Sequence, residues 1–126
     1  MKKIKLFLII AVLGLAISAC EYDFIAQEEL PDIPVDEDVS FSEVILPIFT
    51  SRCAECHQAG GQAPDLTADK AYQSINTAKY IDTANPESSL IYSYVAPGAS
   101  THGHRQYTAA QAQFVLVWIQ QGAMNN

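Results

Sequence analysis

The chain has 126 residues, 14 of them acidic and 7 basic, for a formal net charge of −7, and 49% are hydrophobic. That balance excludes nucleic-acid binding, because neutralising phosphates requires a basic face. It also holds three cysteines, so any one disulfide leaves an odd thiol that must serve another purpose.

The chain opens on MKKIKLFLIIAVLGLAISAC: three lysines (Lys2, Lys3 and Lys5), an apolar run from Leu6 to Ile17, then small residues up to Cys20. Basic, apolar and small regions in that order are those of an export signal, and the run of about 12 residues is short of the roughly 20 that a permanent bilayer-spanning helix needs. Ile17-Ser18-Ala19-Cys20 resembles the lipobox of bacterial lipoproteins. That resemblance implies removal of residues 1–19 and lipidation of Cys20, whose several acyl chains would hold the protein stably on a membrane. The alternative is an ordinary signal peptide that leaves Cys20 as a free thiol. Processing leaves 107 residues, with four basic against fourteen acidic and a net charge of about −10. That length suits one small domain with a tail.

Residues 20–39 read as the lipidated cysteine and a tether. Glu21 to Asp38 carries eight acidic residues, no basic one, and Pro31 and Pro34. Repulsion and stiffness oppose folding there, and little apolar surface is on offer. The alternative is an arm packed on the domain through Tyr22, Phe24 and Ile25.

Residues 40–126 are expected to form the folded domain. Ser40 caps a first helix, with Glu43 completing a capping box and Phe41, Val44, Ile45, Ile48 and Phe49 near one stripe. Pro47 is expected to kink or restart it, since it has no backbone N–H to donate. The stretch HQAGGQAPDL is irregular, and Thr67 caps a short helix from Ala68 to about Ile75 with Tyr72 and Ile75 inward. Asn85 caps the next helix, with Pro86 at its first position and Leu90, Ile91 and Tyr94 as its apolar face. APGASTHGH is a loop. In the last helix Thr108 and Gln111 make a capping box, Ala110, Phe114, Val117 and Trp118 share a face, and Gly122 terminates it in a left-handed conformation. No convincing strand alternation and no internal repeat are present. The fold class expected is all-α, with short helices and long loops.

The chemistry lies in Cys53-Ala54-Glu55-Cys56-His57. Two thiols at i and i+3 can add across the two vinyl groups of a haem, and the histidine after the second places an imidazole under the iron; Cys-x-x-Cys-His is the c-type haem attachment signature. A haem also supplies a large buried apolar disc that so small a domain lacks. Competing readings are a zinc site, a thioredoxin-like redox pair and a plain disulfide. The other histidines lie more than 40 residues away, unlike compact zinc-site spacing. No βαβ setting is visible for the redox pair, and a disulfide leaves His57 unexplained.

With VILPIFTSRCAECH, APDLT, NPESSLIY and VWIQQGAMNN, the region from about Phe41 to Asn126 resembles the small mono-haem cytochrome c domains of bacterial lipoproteins, related to planctomycete-type cytochrome c domains. The resemblance implies the cytochrome c fold: a helix before the motif crossing a C-terminal helix, Phe49 and Trp118 near the crossing, and one haem c edge-on between them. It also implies a distal ligand from the loop before the last helix. Methionine often fills that role, yet the mature chain's Met124 stands past Gly122, in a poor position. The loop holds His102 and His104; His102 is preferred, His104 is the alternative, and neither being a ligand is the third possibility. Ligation by two histidines implies a lower potential than histidine with methionine. Arg105 is a candidate partner for a haem propionate, or else a solvated charge.

The function expected is a membrane-anchored carrier, not an enzyme, passing single electrons between redox partner proteins. The alternative is a haem-based gas sensor or peroxidase-like protein with an open sixth site. A third possibility is a lipoprotein adaptor with a disulfide or zinc and no haem. The chain is expected to act as a monomer in the cell envelope, on the outer membrane, since Glu21 rather than aspartate follows Cys20.

Overall fold

The computed structural model describes residues 30–34 and 36–126. Residues 1–19, Cys20, and the arm residues Tyr22, Phe24 and Ile25 lie outside them. Among the described residues the secondary structure is all helical, with no strand, and no helix is long and apolar enough to cross a membrane.

The first helical segment starts where its cap predicts. Ser40 is extended (φ −69°, ψ 131°), and its hydroxyl accepts from the Glu43 N–H at 3.2 Å. The Glu43 side chain makes no return bond among the described residues; the Ser40 hydroxyl instead also donates to the Asn126 carbonyl at 3.1 Å. Phe41–Ile45 winds as a wide π-turn, in which the Leu46 N–H reaches back to the Phe41 carbonyl, and only then does α1 run over Leu46–Arg52. Pro47 accounts for the change of winding. In a regular helix its ring would press on the Glu43 carbonyl and offer it no hydrogen, and a widened turn ahead of it relieves that conflict.

Helix α2 spans Ala71–Ile75, three residues later than its expected start. The hydroxyl of Thr67 is diverted to Asp65 Oδ1 at 2.6 Å, so residues 67–70 form a turn closed by bonds to the Thr67 carbonyl. A short 3₁₀ turn, Pro86–Ser88, follows Asn85, whose side chain donates to Asp82 and does not cap. Helix α3 is Leu90–Ser93; only Ile91 of its expected apolar face is buried, while Leu90 and Tyr94 are 40% and 43% exposed. The segment is too short for a 3.6-residue period to fix which face turns inward.

Helix α4, Ala109–Gln120, has the complete Thr108–Gln111 capping box. Its buried positions are Ala112, Val115, Trp118 and Ile119, so the inward stripe is rotated from the expected one, and Phe114 and Val117 are only half-buried. AAQAQFVLVWIQ is apolar almost all round, which leaves the facing side to be chosen by neighbours. Gly122 has φ +100° and ends the helix as expected, with the Gly122 N–H on the Ile119 carbonyl and the Ala123 N–H on the Trp118 carbonyl, the paired bonds of a Schellman end.

The core is an aromatic cluster between the first helical segment and α4. The Phe41 ring lies 5.5 Å from Trp118, 5.1 Å and edge-on from Tyr72, and 6.5 Å from Phe49. Phe41 thus meets Trp118 directly, while Phe49, fully buried, stands one ring further in. The last residues of the chain clamp this contact. Asn126 Oδ1 accepts from the Phe41 N–H at 2.7 Å, the Trp118 indole donates to the Met124 carbonyl at 2.9 Å, and the Tyr72 hydroxyl donates to the Ala123 carbonyl at 3.1 Å. Gln121 binds the approach to the domain on both sides, accepting from the Val39 N–H and donating to the Glu37 carbonyl. Val39 is buried and Ile33 packs on the core, so ordered packing begins several residues ahead of Ser40.

Tyr107, buried just ahead of α4, donates its hydroxyl to the Ile91 carbonyl at 2.8 Å and its N–H to the Val95 carbonyl. Burial pushes its phenol well above the ordinary value of 10.0, with the nearby Cys53 adding to the effect. The unfolded phenol therefore ionises first as pH rises, the unfolded state binds fewer protons, and stability falls above about pH 10. Urea midpoints measured at pH 8 and 10.5 are expected to show this loss, and Tyr107→Phe to reduce it; equal slopes for the two proteins would contradict the assignment.

Candidate functional site

Helix α1 hands the chain straight to the cysteine motif. Cys53 caps it, its N–H on the Phe49 carbonyl at 2.9 Å, and the Cys53 carbonyl then accepts from the N–H groups of both Cys56 (3.1 Å) and His57 (2.9 Å). This one tight turn closes the backbone from Cys53 to His57 into a single segment, with Cys56 within it. Both thiols are free. Cys56 is exposed and Cys53 partly buried; burial pushes the Cys53 thiol up, partly offset by the positive charges of Arg105 and Arg52.

Beyond His57 the backbone folds back on the motif. The Gln62 N–H donates to the Cys56 carbonyl at 2.9 Å, the Gly61 N–H to the Gln58 carbonyl, and the Leu66 N–H to the His57 carbonyl at 2.8 Å. Gly61 is the tight point, since a methyl there would overlap the Cys56 carbonyl oxygen, a backbone atom with little freedom to move. Gly61→Ala is expected to cost about 1–3 kcal/mol as an overpacking change. A lowered urea midpoint would show this, and an unchanged midpoint would mean that the loop yields freely.

The loop 96–107 brings the second histidine across. The His57 and His102 rings lie 6.1 Å apart, centroid to centroid, and 27° from parallel. His57 Nδ1 is 3.1 Å from the Pro64 carbonyl and His102 Nδ1 is 2.6 Å from the Arg105 carbonyl. A carbonyl only accepts, so in both rings Nδ1 carries the hydrogen and the neutral ring keeps its free lone pair on Nε2. In each ring a backbone oxygen holds Nδ1 and so sets the ring's orientation, as the outer partners of metal-ligating histidines characteristically do. The two rings are stacked, so the loop before the last helix brings a second imidazole face to the one that follows the cysteine pair. Among the described residues no group of three or more His, Cys, Asp or Glu side chains gathers to hold a metal ion. Each imidazole could serve as a nitrogen ligand, and the described side chains do not assemble a four-side-chain zinc centre.

Other expected residues fall as follows. His104 is exposed and Met124 is 61% exposed beyond the end of α4, its carbonyl engaged by Trp118. Arg105 spans from the histidine loop to the motif: its guanidinium donates to the Arg52 carbonyl and to Glu55 Oε2, each at 2.7 Å. Tyr94 packs its ring edge-on against His102 at 6.0 Å. The sequence assigns no site role to the Pro64 and Arg105 carbonyls, Gly61 or Glu55, and it sets Tyr94 on a helix's apolar face. Only the Gly60-Gly61 pair carried a visible signal, in the irregular stretch after His57, and the carbonyls carry none because every residue has one. Compared with known protein families, curated proteins and solved structures, the chain matches none.

Proposed function

We propose that this chain is a mono-haem c-type cytochrome of the cytochrome c fold, tethered to a membrane, that passes single electrons between partner proteins. The observation that carries the reading is the pair of imidazoles, His57 and His102, stacked at 6.1 Å between centroids with both Nδ1 atoms bound to carbonyls, His57 sharing one backbone turn with the two free thiols.

On this reading Cys53 and Cys56 would hold the haem through two thioether bonds, each formed by addition of S–H across a vinyl group with nothing lost, and His57 and His102 would offer Nε2 to the iron as proximal and distal ligands. When bound, the haem c supplies a one-electron centre whose potential two imidazoles set lower than histidine with methionine. The chain's own part is to hold both rings in place, so that little rearrangement accompanies a change of charge. Contact between Phe41 and Trp118, ahead of the motif and in the last helix, supports the proposed fold.

The placement follows the same reading. Lipidated Cys20 anchors the protein to the cell envelope, on the outer membrane, and the acidic tether favours partners with basic docking faces through weak, salt-sensitive encounters. The carrier acts as a monomer.

A pyridine haemochrome spectrum and an intact mass on protein from cells competent in cytochrome maturation test the reading. The expected result is a c-type spectrum, a mass gain of one haem, and colour that survives acid-acetone extraction. A colourless product of unmodified mass overturns it. Ready carbon monoxide binding by the unaltered protein would favour the sensor or peroxidase-like alternative.

A further inference from the structure

The loop that carries His102 is closed on itself at its neck. The Tyr107 N–H bonds the Val95 carbonyl, the Gln106 side chain accepts from the Gly98 N–H and donates to the Ala99 carbonyl, and the Thr101 hydroxyl bonds the Tyr94 carbonyl at 2.9 Å. These bonds shape the loop but do not aim it. Across to the cysteine motif the only hydrogen bonds among the described residues come from Arg105, to the Arg52 carbonyl at the end of α1 and to Glu55, the residue between the two thiols. The same residue's own carbonyl accepts from His102 Nδ1. Arg105 therefore meets both sides: its carbonyl binds the His102 ring, and its side chain links the loop to the segment that carries His57.

We propose that Arg105 and Glu55 form a latch that holds His102 in its axial position, so that breaking it opens the sixth coordination site. The inference rests on the proposed function and adds the residues that decide between its two forms, closed carrier and open ligand-binding haem protein. The planar fork of arginine suits this task, because it can donate to a carbonyl and a carboxylate at once, as a lysine ammonium of the same charge does less well. The pair is 44% and 69% exposed, so solvent weakens it. It acts as a bias on a loop that is already shaped, not as a clamp, and it should respond to ionic strength because exposed charges are screened.

The test uses the mature haem-bearing protein and the variants Arg105→Gln, Arg105→Lys, Glu55→Gln and the charge-exchanged double variant Arg105→Glu with Glu55→Arg. Carbon monoxide affinity of the reduced protein, the high-spin fraction of the oxidised protein, and the rate at which diethyl pyrocarbonate modifies His102, with His104 as internal reference, are measured at low and high salt. Circular dichroism confirms that each variant is folded. Expected are a rise in carbon monoxide affinity of about tenfold for Arg105→Gln and about two- to fivefold for Glu55→Gln, partial retention of the closed form by Arg105→Lys, and partial recovery in the double variant. Salt should shift the parent protein in the same direction as Glu55→Gln, and His102 modification should speed up in step. Folded, red variants that keep the parent's spectrum, carbon monoxide response and His102 reactivity overturn the latch while leaving the cytochrome reading intact; colourless protein overturns the cytochrome reading itself. If Arg105→Gln does not fold, Glu55→Gln and the salt dependence decide, and the absence of either effect counts against the proposal.

Discussion

In the proposed cytochrome, replacing His102 with alanine is expected to leave the haem attached and to tighten carbon monoxide binding on the order of a hundredfold. On the proposed reading the two thioethers and His57 retain the group, while the ring that competes with external ligands is gone. When an internal ligand occupies a site about 99% of the time, the apparent affinity for an outside ligand is reduced by that same factor, and removing the competitor restores it. His104→Ala serves as the contrast and is expected to leave the spectrum unchanged, since His104 is exposed while His102 stands 6.1 Å from His57. His102→Met should raise the reduction potential if the sulfur reaches the metal. An optical titration with carbon monoxide decides among these; a large response in His104→Ala with none in His102→Ala would transfer the distal role to His104.

Trp118→Ala carries the largest expected cost to stability, about 3–5 kcal/mol, because it empties a fully buried aromatic site that meets Phe41 at 5.5 Å. It also removes the indole hydrogen bond to the Met124 carbonyl, which helps draw the last residues over the first helical segment. A domain of this size is commonly stable by about 5–15 kcal/mol, so the variant sits near the edge of folding. Trp118→Phe keeps most of the volume and loses the N–H donor, and is expected to be much milder. Urea unfolding followed by circular dichroism measures both. A loss below about 1 kcal/mol for the alanine variant would mean that the aromatic cluster does not hold the two ends of the domain together.

The two predictions draw on opposite ends of the chain's logic. Trp118 is legible as core in the sequence, where the resemblance sets it with Phe49 near the helix crossing; the structure seats Phe41 against it. For His102 over His104 the sequence offers its place five residues ahead of Tyr107, where the resemblance puts the distal ligand, and the neighbouring Gly103. The structure separates the two histidines by placing one ring against His57 and leaving the other exposed.

Features with partners within a few residues were legible from the amino-acid order alone. The Ser40 cap, the Thr108–Gln111 box, the Gly122 terminator and the disturbance at Pro47 each depend on backbone groups one turn away, as does the tight turn from Cys53 to His57. Local chemistry was also misread where a nearer competitor took the group, as when Asp65 claimed the Thr67 hydroxyl and delayed α2. Only the tertiary structure decided which stripe of α4 turns inward and what the Arg105 side chain holds. A helix apolar almost all round has no intrinsic inward face, and the Arg105 guanidinium is directed by Glu55 and Arg52, 50 or more residues away. The carbonyls that orient the two imidazoles lie only 7 and 3 residues from their histidines, yet they carry no signal in the sequence because every residue has one. Sequence spacing encodes the chemistry that one turn of backbone can assemble; the pairing of sites from distant turns is set by packing, where many residues jointly choose one arrangement.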